Sequence, residues 1–348
     1  MLHIGIDLGG LESQVCIRGE AGRIKRETLW PTRQLEDLTR ELEPSRVIVE
    51  TCAESFAVAE RIRAQGHDVR IVPATLVRQL GVGARGIKTD VRDARVLSDV
   101  STKIELPSVH IPRLSSREAR STATLRDSLV RSRTLLINTV RGWLRTQLVR
   151  IPGGSKFTFP RRVRETLLAR PDGMPTGIER QLIVIDELTA QIKTADAEIK
   201  ALAQNNETCR LLMTAPGVGP LTSLFFYTVV DDVTRFKGAQ ALESYLGLTP
   251  GEHSSSLRKS RTSITKAGSS QVRRVMVQAC WAAWTFRKND PLVQWAAQVA
   301  ERRGRKIAIV AMARKLAGIL FAMWRDGRPY NQRLVREDLA VSDTSSAT

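Results

Sequence analysis

Two short runs of branched apolar residues, HIGID at His3–Asp7 and RVIVE at Arg46–Glu50, each close on an acid. Runs of this length suit buried strands. Helical patterns alternate with them. Gln34–Leu42 reads as a helix, and so does Phe56–Ala64, which Gly66 stops. Further strands are expected at Gln14–Arg18, with Gly22 marking the turn after it, and at Val69–Val72. Strand–helix alternation through about residue 105 predicts an α/β domain with a mixed sheet. If His3–Asp7 and Arg46–Glu50 are neighbours in that sheet, Asp7 and Glu50 emerge at the same edge, where open α/β sheets carry their sites.

Two more acids follow in KTDVRDA. Asp90 and Asp93 are spaced i, i+3, which puts both on one face of a helix that Thr89 can cap. Taken singly, each acid has an ordinary explanation: Asp93 as an exposed helix residue, Asp90 as a second cap, Glu50 as an arginine partner. Taken together, two strand-end acids and the TDxxDA pattern favour a shared site. Close carboxylates repel one another, so such a set needs cations. Oxygen-only ligands suit magnesium or manganese. Two such ions can activate a nucleophile and stabilise the leaving oxygen in phosphodiester chemistry.

The middle of the chain changes character. Leu125, Leu129, Leu136, Val140, Trp143 and Leu148 recur at helical spacing between about 116 and 149. Ile178, Leu182, Ile185, Ile192, Ile199 and Leu202 do so between about 178 and 203. Two amphipathic helices follow, joined through a Pro/Gly-rich link. They form a helical hairpin or a coiled-coil arm, and an arm offers a surface for dimerisation. From about 205 the chain reads as mostly helical and basic, with a helix over Ser270–Phe286. Ile307–Phe321 is apolar but carries Arg314 and Lys315, so a buried or amphipathic helix is expected there and no membrane span. The end, VSDTSSAT, reads as a disordered tail.

Charge narrows the partner. The 348 residues carry 54 Lys and Arg against 36 Asp and Glu, a formal net charge of +18. That sign and size favour a polyanion, most simply nucleic acid. Cys16, Cys52, Cys209 and Cys280 are widely spaced, which argues against zinc or a disulfide framework and fits a reducing cytoplasm. In APGVGP, Gly217 and Gly219 could let backbone N–H groups approach a phosphate, as in a helix-hairpin-helix turn; a plain Gly/Pro turn explains the motif equally well. Arg258, Lys259, Arg261, Lys266, Arg273 and Arg274 surround the serines of HSSSLRKS. A serine among cations can attack a phosphodiester and hold the 5′ phosphate, but on chemistry alone a polar phosphate-binding loop is the simpler reading.

GIDLG, VIVET and KTDVRDA, in this order and spacing, resemble the DEDD transposases. That family has an N-terminal domain of the ribonuclease H fold, like the RuvC-type junction resolvases. It includes the Piv DNA invertase and the recombinases of the insertion-sequence family numbered one hundred and ten, which use a bridge RNA. The resemblance makes Asp7, Glu50, Asp90 and Asp93 the D-E-D-D set. GLTP, HSS, ITKAG and the RR pair resemble the C-terminal transposase domain, whose serine is the nucleophile. The family pattern follows that serine with two glycines, where this chain has Ser256 and Leu257. Ser254 and Ser255 are therefore both candidates, and Ser255 aligns better.

The implied organisation is a RuvC-like catalytic domain at 1–110, a helical coiled-coil arm at 111–204, a C-terminal transposase domain at 205–335 with a helix-hairpin-helix-like turn, and a disordered tail at 336–348. The implied function is a site-specific DNA recombinase using magnesium or manganese, a guide RNA and a homo-oligomer, dimer or tetramer. Three alternatives differ in kind. A metal-dependent nuclease or junction resolvase would use the N-terminal acids alone. A sugar-kinase or actin-like ATPase shares GIDLGG but needs a second phosphate loop and an adenosine segment. A non-catalytic nucleic-acid binder leaves the acids unexplained.

Overall fold

A computed structural model describes residues 1–79, 89–255 and 258–333, with only the backbone at 77–79, 252–255 and 258–261. The chain divides into two compact units, Met1–Ile111 and Pro112–Thr348. The first is mixed α/β and the second mostly helical. The tail expected at 336–348 lies outside the described residues.

Unit one is built on five strands: β1 (His3–Asp7), β2 (Glu12–Arg18), β3 (Ile24–Pro31), β4 (Arg46–Glu50) and β5 (Asp68–Val72), in the order β3-β2-β1-β4-β5. β1, β2 and β3 form an antiparallel meander, while β4 runs parallel to β1 and β5 parallel to β4. The charged sequence of β3 hid it from pattern reading. IKRETLWP has no clean alternation because this is an edge strand, half solvated, whose place is set by pairing with β2.

Strand parity separates two layers. Ile4 and Ile6 of β1 and Val47 and Val49 of β4 pack with Val58 and Ile62 of helix α2 (Ser55–Arg63) and Leu35 and Leu38 of α1 (Leu35–Arg40). Ile48 points the other way and packs with Leu97 of a later helix. The short helix α3 (Ala74–Gln79) follows β5, and α4 (Asp90–Lys103) carries Leu97. A parallel strand covered on both faces reads as a continuous apolar run, which is why RVIV was legible.

Unit two contains α5 (Leu114–Thr146), α6 (Phe159–Leu168), α7 (Thr176–Asn205), α8 (Glu207–Leu212), α9 (Pro220–Val230), α10 (Ala239–Tyr245), the strands β6 (Pro250–Ser255) and β7 (Arg258–Ile264), and the helices α11 (Ser270–Phe286), α12 (Pro291–Arg303) and α13 (Arg305–Asp326). The long helices α5 and α7 pack along each other. At one end Ala123, Ile199 and Ala203 join the core of the C-terminal helices. At the other, Ile137, Val140 and Leu144 pack with Ile178, Leu182 and Ile185 and with Phe159, Val163 and Leu167 of α6. The Pro/Gly-rich link thus contains a helix, α6, which Pro160 starts at its first turn. Helix α13 has the length and composition of a membrane-crossing helix. It is also a core helix of this unit, with Ala308, Met312, Leu316 and Leu320 wholly buried. All four cysteines are free thiols.

Gly5 shows how closely α4 lies on the sheet. A Cβ at this position would stand 2.2 Å from the Ala94 carbonyl oxygen and 2.6 Å from the Ser98 nitrogen. Both obstacles are backbone, so the helix itself would have to move. Gly5→Ala should therefore cost about 3 kcal/mol, the upper end for overpacking. Gly22→Ala should cost only about 1 kcal/mol, because Gly22 has φ +75° and open space around it. Chemical denaturation of the two variants checks this order; equal losses would mean that α4 does not press on β1.

Candidate functional site

The carboxyl edge of the first sheet gathers the N-terminal acids. β1 and β4 are parallel neighbours paired Ile6 with Val49, so the next residues, Asp7 and Glu50, stand level at the ends of their strands. Parity sets their face. Residues i and i+2 share a side of a strand, so Asp7 sits on the side of Gly5, against α4, and Glu50 on the side of Ile48, which also packs on α4. Both are half-buried.

Helix α4 runs antiparallel to β1. Ser101 Oγ lies 2.7 Å from His3 Nδ1 at the start of the strand, and Ala94 and Ser98 lie over Gly5 in the middle. The first turn of α4 consequently falls at the Asp7 end. Thr89 caps that turn, its side chain accepting from the Arg92 N–H, and Asp90 and Asp93 occupy it. Acids are favourable there because the helix N-terminus carries partial positive charge. Asp90 is exposed, whereas Asp93 is only 1% exposed. Arg18 of β2 fastens the helix from the side, donating from Nε to Ser98 Oγ at 3.3 Å and from a terminal nitrogen to the Arg95 carbonyl at 3.4 Å. The four acids thus occupy one edge. Among the described residues, however, no three acid, histidine or cysteine side chains gather tightly enough to hold a metal ion as a set. What fits a divalent cation is the donor chemistry: carboxylate oxygens alone, from two strand ends and one helix turn, with one of them buried.

A rigid turn beside this edge was not anticipated. Gly9 follows Asp7 by two residues, and a Cβ there would stand 2.1 Å from the Glu12 carbonyl oxygen. Thr32 Oγ1 donates to the Gly9 carbonyl at 2.7 Å and lies 2.7 Å from Ser13 Oγ, which accepts from the Gly9 N–H at 3.3 Å. Ser13 and Thr32 are buried, and Leu11 at the tip is 86% exposed. The GG pair after the acid was the only sequence sign of this turn, and it does not reveal the hydroxyls that hold it.

The serine-rich segment belongs to unit two and is a β-hairpin, where a polar loop was the sequence expectation. Ser255 pairs with Arg258, Ser254 with Lys259 and Glu252 with Arg261 in backbone register. The side chains of Ser254, Ser255, Arg258, Lys259 and Arg261, and the whole of Ser256 and Leu257, lie outside the described residues. The base of the hairpin is well defined. Gly247 has φ +67°, and a Cβ there would stand 2.5 Å from the Ala267 nitrogen; one on Gly268 would stand 2.0 Å from the Tyr245 carbonyl oxygen. Two backbone segments cross here with no room for side chains. Lys266 adopts φ +58°, the left-handed region, and its N–H donates to the Gly247 carbonyl. Arg273 reaches over from α11 and donates to the carbonyls of Leu246 and Gly268 at 3.1 and 2.6 Å. Arg274 pairs with the buried Asp127 of α5. These two cations are engaged within the fold.

The glycines of APGVGP also divide. Gly217, at φ +74°, packs on α11, where a Cβ would stand 2.1 Å from the Ala279 carbonyl oxygen. Gly219 is the N-cap of α9 and has open space around it.

Comparison with known proteins covers both ends of this architecture. Residues 4–148 match a DEDD transposase profile of the IS110 group, and residues 209–296 match the transposase IS116/IS110/IS902 family. The chain is 27% identical over 326 residues to the transposase for insertion sequence element IS1111A of Coxiella burnetii, covering 92% of this chain and 88% of that protein. It is 25% identical over 339 residues to the transposase for element IS1328 of Yersinia enterocolitica, covering 94% and 98%. It is 30% identical over 139 residues to the pilin gene-inverting protein of Moraxella lacunata, covering 39% and 42%.

The clamp at the hairpin base gives a direct test. Arg273→Met keeps the aliphatic stem and removes two charge-assisted hydrogen bonds, so it should lower stability by about 2 kcal/mol. Thermal melting checks the figure, and a loss below about 0.5 kcal/mol would rank Arg273 with ordinary surface residues.

Proposed function

Because the chain belongs to the IS116/IS110/IS902 family of DEDD transposases, enzymes that cut and rejoin DNA, we propose that it carries out strand cleavage with two sets of residues, one in each unit. Asp7, Glu50, Asp90 and Asp93 would hold magnesium or manganese at the sheet edge. The observation that carries this reading is the antiparallel seating of α4 on β1 across Gly5, which brings the Asp90/Asp93 turn to the strand ends of Asp7 and Glu50. The mixed sheet also supports a ribonuclease H-like, RuvC-like reading of unit one. When bound, the metal supplies polarisation of the phosphodiester and stabilisation of the leaving oxygen.

Ser255 is the proposed nucleophile, with Ser254 as the alternative one residue away. Its hydroxyl oxygen forms a bond to phosphorus and gives up its proton. The phosphorus–oxygen bond to the departing 3′ carbon's oxygen breaks, and that oxygen takes up a proton. The 5′ phosphate stays on serine as a diester, so a second DNA hydroxyl can reverse the step and join a new strand. Direct hydrolysis would lose that option. Arg258, Lys259, Arg261 and Lys266 would offset the charge that builds on the phosphate oxygens. The locked base of the hairpin supports such a role, because a nucleophile must be held within a narrow range of positions.

The DNA target would be chosen by a bridge RNA, for which the large positive charge provides the electrostatic basis. Strand exchange must hold several cut ends at once, so an even-numbered homo-oligomer is expected. The α5–α7 pair, read as a coiled-coil arm, is the candidate joint; Leu125, Leu135 and Ile183 are exposed on it.

Asp7→Asn and Asp90→Asn should each lower cleavage in magnesium by about a thousandfold or more while leaving nucleic-acid binding intact. Trapping the reaction with denaturant should capture DNA linked to protein, and the link should vanish in Ser255→Ala. Loss in Ser254→Ala alone moves the nucleophile by one residue. An active enzyme that forms no adduct and tolerates both serine changes is a metal-dependent nuclease using only the N-terminal acids.

A further inference from the structure

The positive charge of this chain is unevenly spread. Residues 141–170 hold eight arginines and lysines against a single acid, Glu165, a net +7 of the chain's +18. They form the distal end of the α5–α7 pair: the last turn of α5, the connection and α6. An open groove of about 590 Å³ runs across this end, lined by Arg141, Arg145 and Arg150 together with apolar side chains and no carboxylate. A helix C-terminus attracts cations, but its macrodipole amounts to about half an elementary charge. One arginine would answer it, and three line the groove.

Two apolar features accompany the cations. Leu148, on the rim, adopts φ +55° and is 93% exposed. A bulky residue in the left-handed region is uncommon, and such positions concentrate at functional sites. Phe157 is 51% exposed, and the guanidinium of buried Arg133 lies 5.0 Å from its ring centroid. One face of the ring is thereby braced on a cation, as Phe159 is by Arg141 at 5.3 Å. Arg141 and Arg145 stand one turn apart on the exposed side of α5, about 6 Å along the axis at 1.5 Å per residue.

We propose that the distal end of the α5–α7 pair binds an unpaired nucleic-acid strand, with the three arginines on its phosphates and Phe157 and Leu148 against its bases. Exposed rings beside cations suit unstacked bases, because a base inside a duplex has no free face to offer. The residues of this surface are neither the four acids nor those of the serine hairpin, so the proposal stands whether or not those residues perform the cleavage.

The test measures binding of a labelled single strand, as DNA and as RNA of one sequence, and of a DNA duplex, across a salt series with the full-length protein. Arg141→Gln, Arg145→Gln and Arg150→Gln combined should weaken single-strand binding at least tenfold, and should lower the salt slope by about 2, as three phosphate contacts at about 0.7 each require. Arg302→Gln, Arg303→Gln and Lys306→Gln combined remove equal charge from exposed positions elsewhere and should change it less than about twofold. Phe157→Ala should weaken single-strand binding several-fold and leave duplex binding unchanged. Preference for either sugar supports the proposal and identifies the strand. Equal losses in the two triple variants would make the effect one of net charge and overturn it, as would wild-type binding by the arm variant or an equal loss of duplex binding in Phe157→Ala. Circular dichroism melts of each variant confirm that the comparison is between folded proteins.

Discussion

The seating of α4 on β1 governs the first unit. It depends on Gly5, because any side chain there would meet the helix backbone. With that contact in place, the rest follows from strand parity and helix pitch. His3, Gly5 and Asp7 share one side of β1, Ser101, Ser98 and Ala94 descend along them, and the turn holding Asp90 and Asp93 arrives where Asp7 and Glu50 end their strands. Carboxylates that close on one another are unfavourable without a counter-charge. The helix N-terminus supplies part of it, and a divalent cation would supply the remainder.

The second unit meets a similar demand differently. A two-stranded hairpin is marginal by itself, so its base is tied to the helical core. Gly247 and Gly268 let two backbone segments cross, Lys266 takes a left-handed turn, and Arg273 bridges the carbonyls on either side. Cost is concentrated at the foot of the hairpin, where rigidity would be transmitted to Ser254 and Ser255. The same economy appears at the sheet edge, where Ser13 and Thr32 spend their hydroxyls on holding the Gly9 turn.

Much of this was legible in the residues. RVIVE announced a buried strand because Val47 and Val49 on one face and Ile48 on the other are apolar, HIGID announced one through Ile4 and Ile6, and the TDxxDA spacing announced a capped helix with two acids on one turn. Ser270–Phe286 appeared as a helix with its observed bounds. β3 and α6 were not legible. The first is a solvated edge strand whose pairing, and not its own pattern, fixes it; the second lies in a Pro/Gly-rich stretch, where Pro160 starts a helix and does not end one. The serine segment read as a loop because hairpins of polar residues lack the alternation that marks a strand with one buried face. Of the expected phosphate contacts, Arg273 and Arg274 turned out to be engaged in holding the fold, and Gly217 to be a packing glycine. Sequence alone shows that an arginine is present, not which acceptor lies within its reach.

The central claim is that the acids on β1, β4 and the first turn of α4 form one cation site. Anomalous scattering from a crystal of the full-length protein grown with manganese tests it most directly. The account predicts a peak at the carboxyl edge of the sheet, bonded to oxygens of Asp7 and of at least one of Glu50, Asp90 and Asp93, and absent from the Asp7→Asn protein. Manganese bound elsewhere, or an empty edge in a protein that cleaves DNA under the same conditions, would contradict it.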